Sequence, residues 1–318
     1  MGRAYDVLTI GRSSIDLYAH QIGVPMAEVT SFDAYVGGCP TNISVGTRRL
    51  GLRSALLTAV GDDQVGDFVL AFLSREGVET RFIPRKQGRR TSAVLMAIQP
   101  PDTFPLTFYR EGCADRELTS DDVRRAPIAD SEILVVTGTG LSHEPSRSAT
   151  LFAADEAAAA GTQVLVDIDY RPDQWSTRSE YSSFVLRLLG KASLAVGTEE
   201  EIVAAADSDH LPSAIETVLG SGPSALIVKR GARGASIHAR GADRRDIPPF
   251  PIEVLNVLGA GDAFASGLIA GLRQGWPLDR ATRLGNATGA IVVTRHGCAN
   301  FMPTMPEVED FVRSKGGW

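Results

Sequence analysis

The residues with the clearest chemical potential lie near the C-terminal end, in residues 256–262. Gly259, Ala260 and Gly261 run into Asp262 and then into an apolar segment with helical spacing. A turn of small residues that opens a helix presents unpaired N–H groups and the positive end of the helix dipole, and this combination binds anions. An aspartate there would repel a phosphate, so it favours proton transfer beside an anion, as in phosphoryl transfer to a hydroxyl. The same residues also fit a plain helix start with an acidic first turn.

A second glycine-rich stretch lies near the N-terminus. Gly37 and Gly38 would let the backbone approach a ligand closely before a helix that contains Asn42. Asp16 follows a predicted strand at residues 6–11, at the edge where open α/β sheets place their ligands. A capped turn would explain Asp16 equally well.

Alternating strand and helix patterns organise most of the chain. Buried strands are predicted at residues 54–60, 133–137, 164–166 and 225–229, and helices at 42–50, 64–75, 151–160 and 280–293. This rhythm predicts an α/β fold with a central, mostly parallel sheet flanked by helices.

The rhythm breaks in the first third of the chain. Strand patterns at residues 91–99 and 106–110 have no helix between them, and Pro100-Pro101-Asp102 is predicted to make the turn. With residues 32–36 they predict a small antiparallel sheet, which has one face to cover. We expect it to act as a lid built from about residues 12–36 and 89–112, within a single domain over residues 1–318, and to pair two copies into a homodimer.

Composition limits the classes of function. The 318 residues carry a formal net charge of −6 and form no basic stripe, which argues against nucleic acid or an anionic membrane as partner. Three widely spaced cysteines favour a reducing cytoplasm, and the five histidines form no metal-ligand pattern. The apolar run at residues 7–10 is too short for a signal peptide or a membrane span.

Three loops offer further candidates. Arg171 follows the strand at 164–166, where a guanidinium can hold a carboxylate or phosphate, or can instead pair with Asp167 or Asp169. Thr198 and Glu201 have the spacing of a capping box.

A glycine pair at Gly138 and Gly140 resembles half of a dinucleotide fingerprint, although its third glycine is missing. A nicotinamide-dependent oxidoreductase is therefore a remote alternative.

Taken together, two motifs resemble the ribokinase-like (PfkB-type) carbohydrate kinases. One is residues 37–44, followed by Gly51 and Gly61 in that family's spacing, and the other is residues 259–262. The similarity extends over about residues 5–306. It implies the ribokinase-like fold and transfer of the γ-phosphate of ATP to a sugar hydroxyl, with Mg²⁺ as the metal.

The resemblance also implies roles for individual residues. Asp262 matches the catalytic base, and the anion hole matches Gly259, Ala260 and Gly261. Positions that hold sugar hydroxyls match Asp16, Gly37, Gly38 and Asn42. Positions beside the nucleotide match Lys229, Gly231, Gly234 and Asn286. Glu201 matches the glutamate of an Asn-x-x-Glu motif tied to magnesium and phosphate, with Thr198 in place of the asparagine, so a capping role stays an equal alternative.

Two further departures concern a monovalent cation, which related enzymes often bind. Asn256 replaces the usual aspartate and Leu258 the usual threonine, which weakens the case for potassium activation.

Arginines set the expected substrate. Arg110 and Arg171 match arginines that keto-deoxy-gluconate kinases use on their substrate, and Arg12 adds a third cation, which a neutral sugar would not need. The stretches 11–18, 109–115 and 256–262 look most like the subgroup that phosphorylates the terminal hydroxyl of 5-dehydro-2-deoxygluconate in myo-inositol breakdown. Alternatives within the family are 2-keto-3-deoxygluconate and fructose, and a non-catalytic sugar or nucleotide sensor is a remote one.

Overall fold

The computed structural model describes residues 2–99 and 104–318, so the predicted turn at Pro100-Pro101-Asp102 lies outside the described residues. The strands are β1 (Tyr5–Ile10), β2 (Ser14–Ile22), β3 (Phe32–Gly37), β4 (Ser54–Leu57), β5 (Val60–Gly61), β6 (Arg85–Lys86), β7 (Ser92–Ile98), β8 (Leu106–Tyr109), β9 (Ser131–Thr137), β10 (Gln163–Asp167), β11 (Leu194–Thr198), β12 (Ala225–Lys229), β13 (Ala235–Ala239) and β14 (Arg245–Ile247). The α-helices are α1 (Cys39–Arg49), α2 (Gln64–Glu76), α3 (Ser120–Arg124), α4 (Ser146–Ala159), α5 (Arg178–Leu189), α6 (Glu199–Ala205), α7 (Leu211–Ser221), α8 (Ala260–Arg273), α9 (Leu278–Val292) and α10 (Met305–Ser314).

A large sheet forms the centre of the molecule, in the strand order β14-β13-β12-β11-β10-β9-β1-β4. Its strands from β4 to β12 pair in parallel, and β13 and β14 add an antiparallel edge. Both faces are covered, because Leu8 packs into the core on one side and Val7 into the core on the other. The predicted α/β fold with a central, mostly parallel sheet flanked by helices is confirmed.

A second, four-stranded sheet has the order β3-β2-β7-β8. Its two outer pairs are antiparallel, whereas the central pair of β2 and β7 is parallel. These strands come from the segments that we expect to form a lid, and the closing movement itself stays a prediction.

Strand β2 was not predicted, because its pattern runs against the usual rule. Asp16 and Tyr18 are buried, whereas the apolar Ile15 and Leu17 between them are only half-buried. An aspartate on the buried face hides the strand from a search for buried apolar alternation.

Helix α1 begins three residues earlier than predicted. Gly38 caps it with a φ of 106°, a conformation that favours glycine, and Pro40 stands in the first turn, where a proline is tolerated. The Asn42 N–H donates to Gly38 O at 2.8 Å, so Asn42 lies inside the first turn of the helix. This backbone bond leaves its side-chain amide available for other contacts.

Helices α8 and α9 pack closely because of glycines on α8. A Cβ on Gly267 would collide with the Thr288 hydroxyl, and one on Gly271 would lie 2.7 Å from Ala281 Cα. Phe264 and Leu268 of α8 also pack into the core on the Val7 side of the large sheet. In the part of the chain that the structure describes, none of the helices is both long and apolar enough to cross a membrane.

Candidate active site

A cleft between the two sheets brings seven of the sixteen predicted site residues together. The small sheet supplies one wall, and the ends of the large sheet and the starts of α1 and α8 supply the rest. The predicted residues that line it are Arg12, Asp16, Gly38, Asn42, Arg171, Gly259 and Asp262. A larger groove of about 650 Å³ lies between α7 and the end of β13, and none of the predicted residues lines it. The cleft between the sheets is therefore the candidate active site.

Asp262 lies in the first turn of α8, facing α1. Asn42 Nδ2 donates to Asp262 Oδ2 at 2.6 Å, and Cys39 lines the same cleft. Burial raises the pKa of Asp262 above its usual value, although Cys39 and Asn42 oppose the shift. A carboxylate made more basic and held in place by a fixed amide is suited to accept a proton.

The turn before Asp262 consists of small residues and begins helix α8. Gly259 caps α8 with a φ of 80°, and a Cβ there would lie 3.0 Å from the Cys298 sulfur. The Ala260 N–H turns back to Val257 O at 3.3 Å, which closes the turn. A Cβ on Gly261 would lie 3.1 Å from Lys229 Nζ, so an ammonium stands beside this helix end. The ammonium and the positive end of the helix dipole both favour an anion at this position.

Asp16 lies across the cleft on β2. It accepts a hydrogen bond from the Ser14 hydroxyl at 2.6 Å, and that hydroxyl in turn accepts from Arg12 Nη1 at 2.8 Å. A Cβ on Gly37 would occupy the place of the Asp16 carboxylate, which explains the glycine. Burial raises the pKa of Asp16 to about 6, although Arg12 and Ser14 oppose the shift.

The loop after β10 presents the second guanidinium of the cleft. Arg171 Nη2 lies 2.9 Å from Asp169 Oδ1, and the arginine side chain remains 45% exposed. Burial disfavours the Asp169 charge, but Arg171 and Lys229 hold the pKa of Asp169 below its usual value. The predicted alternative, an ion pair with Asp169, is therefore present, and it leaves Arg171 at the cleft wall. Asp169 itself has a φ of 37°, a strained value for this residue type.

Lys229 connects the ends of three neighbouring strands. Its Nζ lies 3.3 Å from Asp167 Oδ1 and 3.7 Å from Glu201 Oε2. Glu201 also accepts from the Thr198 N–H at 2.7 Å, which completes the predicted capping box. Burial alone would lower the pKa of Lys229, but the two carboxylates hold it above its usual value. Glu201 thus has a capping role and also faces the ammonium.

Nine of the sixteen predicted residues are not part of the cleft lining: Gly37, Ala260, Gly261, Lys229 and Glu201, which are described above, and Arg110, Gly231, Gly234 and Asn286. Gly231 has open space around it, whereas a Cβ on Gly234 would collide with Ile247 O, so Gly234 serves close packing of the chain. Asn286 Nδ2 donates to Pro248 O at 2.8 Å. Their roles beside a nucleotide stay predictions. Arg110 is 3% exposed, and its guanidinium lies behind the cleft wall.

The position of the usual cation-site aspartate holds a buried amide. Asn256 Oδ1 accepts from the Leu258 N–H at 3.0 Å, so the side chain stabilises the turn that leads to Gly259. A neutral side chain stands where the resemblance led us to expect an aspartate, and the weaker case for potassium activation stays a prediction.

Sequence reasoning missed several residues of the cleft. Cys39, Phe108, Gln174 and Cys298 all line it. Arg12 lies over the Phe108 ring, 5.3 Å from its centre, which fixes the guanidinium at the wall. The only available signal was position, since Cys39 adjoins the glycine pair and Gln174 follows Arg171 by three residues.

Comparison with known proteins decides the family. The model of the pfkB family of carbohydrate kinases matches residues 4–305. This chain belongs to the pfkB family. Among its relatives, 5-dehydro-2-deoxygluconokinase of Shouchella clausii is 33% identical over 99% of this chain and 97% of that protein. The protein of the same name from Clostridium tetani is 33% identical over 98% of this chain and 93% of its own length.

Solved structures of pfkB-type kinases share the architecture. A protein from E. coli assigned as a ribokinase II, in complex with ATP and Mg²⁺, superposes with a TM-score of 0.90 at 25% identity over 98% of this chain and 99% of its own. Aminoimidazole riboside kinase from Salmonella enterica, complexed with its riboside and an ATP analogue, gives 0.85 at 25% identity over 96% and 99%. The chain is thus a carbohydrate kinase. This membership replaces the oxidoreductase alternative, and Gly138 packs against Ile168 O in a short 3₁₀ turn.

Proposed function

We propose that this pfkB-family kinase transfers the γ-phosphate of ATP to the terminal hydroxyl of 5-dehydro-2-deoxygluconate, a step of myo-inositol breakdown. The observation that carries the proposal is the pair of guanidiniums, Arg12 and Arg171, that line the same cleft as Asp262. A carboxylate on the sugar has a natural partner there, since a guanidinium binds a carboxylate through two parallel hydrogen bonds. The relatives named 5-dehydro-2-deoxygluconokinase, which are 33% identical over nearly their whole length, support the same substrate.

In the proposed reaction the terminal hydroxyl of the sugar points at Asp262. The carboxylate accepts the hydroxyl proton while the oxygen attacks the γ-phosphorus, and the bond to the bridging oxygen of ADP breaks. Asn42 holds the carboxylate through its amide, and Asp16 orients sugar hydroxyls from the opposite wall. Positioning of the two substrates and electrostatic stabilisation provide most of the rate enhancement in this type of reaction.

The transferring phosphoryl group needs positive potential near Asp262. Gly259, Ala260 and Gly261 at the start of α8 supply it, together with Lys229 Nζ beside Gly261. Magnesium, when bound, neutralises charge on the phosphates. Within residues 2–99 and 104–318 no three acidic, histidine or cysteine side chains cluster as a metal site. The carboxylates of Asp167 and Glu201 near Lys229 fit the one or two protein ligands that Mg²⁺ takes alongside substrate phosphates.

The test is ADP release with a panel of purified sugars. We expect the highest kcat/KM on 5-dehydro-2-deoxygluconate, with 2-keto-3-deoxygluconate and fructose as competitors. Faster turnover on fructose than on either acid would overturn the proposed substrate. ATP binding without turnover on any sugar would instead support a sensor.

A further inference from the structure

The inference concerns how Arg110 acts on the sugar, and it rests on the proposed function. Arg110 is buried behind the cleft wall, and its donors are directed into the protein. Nε lies 2.6 Å from Asp115 Oδ2, and Nη1 donates to Gln174 Oε1 at 2.9 Å. Longer contacts reach Thr139 O and the Ser142 hydroxyl, each at 3.4 Å.

Arg110 and Asp115 form a buried ion pair with no net charge. Both side chains are almost fully buried, and the two opposite charges meet at hydrogen-bond distance. Its charge is therefore already balanced inside the protein, and a sugar carboxylate would gain little from it. Arg12 and Arg171, which do line the cleft, are the cations that a substrate can reach.

Gln174 stands between Arg110 and the cleft. It ends a short 3₁₀ turn, Pro172–Gln174, in which its N–H donates to Arg171 O at 3.0 Å. Arg171 and Gln174 both line the cleft, so one turn presents a guanidinium and an amide to the same ligand.

The contact with Arg110 identifies which end of the Gln174 amide is the oxygen. A guanidinium only donates, so the atom that meets Arg110 must be the carbonyl oxygen. The Gln174 nitrogen is buried and makes no hydrogen bond to any residue in the described ranges 2–99 and 104–318. A buried donor of this kind costs free energy unless a partner accepts from it.

We infer that Gln174 Nε2 donates a hydrogen bond to a substrate oxygen, which for an acid sugar is its carboxylate, and that Arg110 is a positioning residue acting through Gln174. Asp115 holds Arg110, Arg110 holds the amide oxygen, and the amide nitrogen contacts the sugar. Gln174 is then a determinant of substrate specificity.

The first experiment measures KM and kcat of Gln174→Met on the sugar that the wild-type protein phosphorylates best. We expect the sugar KM to rise about ten- to hundred-fold, the range for one hydrogen bond to a charged group. The KM for ATP should stay the same and kcat should change less than the sugar KM. Gln99→Met is the matched control, because its amide donates to Val24 O outside the cleft, and its kinetics should equal those of the wild type.

Gln174→Glu separates the donor from the shape. A carboxylate there keeps the contact with Arg110 but removes the donor and repels an acid. For the acid sugar, the KM of Gln174→Glu should exceed that of Gln174→Met. For the neutral amide derivative of the same sugar, the rise in the KM of Gln174→Glu should be smaller than for the acid. An unchanged sugar KM in both variants would overturn the inference.

A double-mutant cycle tests the role of Arg110. Arg110→Met is made together with Asp115→Asn, so that no buried carboxylate is left without its partner. If Arg110 acts through Gln174, the change should raise the sugar KM in the wild-type background and leave it unaltered in the Gln174→Met background. Equal effects in both backgrounds would mean that Arg110 contacts the sugar directly, and would overturn the positioning role.

Failure of this inference is distinguishable from failure of the proposed function. Wild-type preference for another sugar refutes the proposed substrate, and the Gln174 variants are then measured on that sugar. If the wild type prefers the keto-deoxy acid and the Gln174 variants leave the sugar KM unchanged, the role of Gln174 is refuted and the proposed substrate stands.

Discussion

At the scale of single residues, the two carboxylates that face each other across the cleft have different surroundings. Asp262 accepts a hydrogen bond from the Asn42 carboxamide, whereas Asp16 accepts one from the Ser14 hydroxyl, which itself accepts from Arg12. Burial raises the pKa of both groups. Each carboxylate can therefore be tested by a change that leaves the other in place.

Asp262→Asn removes the proposed base at nearly constant volume. We expect kcat to fall by about 10²- to 10⁴-fold, the range for general base catalysis, while ATP affinity changes little. Steady-state ADP release and calorimetric titration with ATP measure the two quantities. Asp173→Asn is the control, since it removes an exposed carboxylate two residues from Arg171. Retained turnover in Asp262→Asn would refute the assignment of the base.

Ser14→Ala should move the pH profile. Asp16 has a pKa raised to about 6 by burial and lowered in part by Ser14, so kcat/KM for the sugar should fall as the pH drops through about 6. Loss of the Ser14 hydrogen bond raises that pKa further, and the acid limb should shift upward by about one pH unit. Ser92→Ala is the control, because Ser92 pairs with Ser14 across β2 and β7 but donates to Ser13 O. Identical acid limbs in the wild type and Ser14→Ala would exclude Asp16 as the group that titrates.

At the scale of elements, the ends of β10, β11 and β12 share one ammonium. Lys229 on β12 lies near Asp167 at the end of β10 and near Glu201, which caps α6 directly after β11. Ion pairs of Lys229 thus join the ends of three strands, beside the start of α8. The strand order of the large sheet creates this cluster, because these strands are immediate neighbours.

Lys229→Met should reduce both stability and ATP use. The change leaves the buried Asp167 carboxylate without its cation, which costs about 3 kcal/mol of unfolding free energy. The KM for ATP should rise at least about tenfold, by loss of the ammonium beside Gly261. Addition of Asp167→Asn should restore much of the stability in urea unfolding but not the KM. Recovery of both together would show that Lys229 acts only on folding.

The elements also show what the sequence could and could not predict. The parallel strands were recognisable because both faces of the large sheet are buried, which gives continuous apolar runs such as residues 133–137. Strand β2 was hidden because its buried face carries Asp16 and Tyr18. Arg110 illustrates a different limit, since the family resemblance implied a substrate contact, and only the positions of Asp115 and Gln174 show where the guanidinium points.

At the scale of the whole molecule, the cleft is shared between two sheets that differ in exposure. Side chains alternate along β8: Leu106 and Phe108 line the cleft, and the alternating residues Thr107 and Tyr109 are exposed. Tyr109 is 60% exposed and Ile22 on β2 is 48% exposed, so the small sheet presents large apolar side chains to solvent. Pairing of two copies through the lid sheet stays a prediction.

Tyr109→Glu should dissociate the expected homodimer. Sedimentation velocity of the wild type should give twice the mass of one chain, and the variant should shift toward one, because a buried unpaired charge opposes association. Trp318→Ala is the control, as it removes an exposed aromatic side chain at the C-terminal end, packed against Trp276. A wild-type protein that sediments as a single chain would refute the dimer.

The division of the cleft between strands and helices has a consequence for evolution and engineering. Asp262 and the turn before it belong to α8, which is locked to α9 by close glycine contacts, whereas Arg12, Phe108 and Gln174 come from a sheet edge and a loop. A library confined to these last three positions could change which sugar the enzyme accepts and leave its phosphoryl-transfer apparatus intact. Divergence to new substrates would then require few substitutions, none of them in the part of the protein that performs the chemistry.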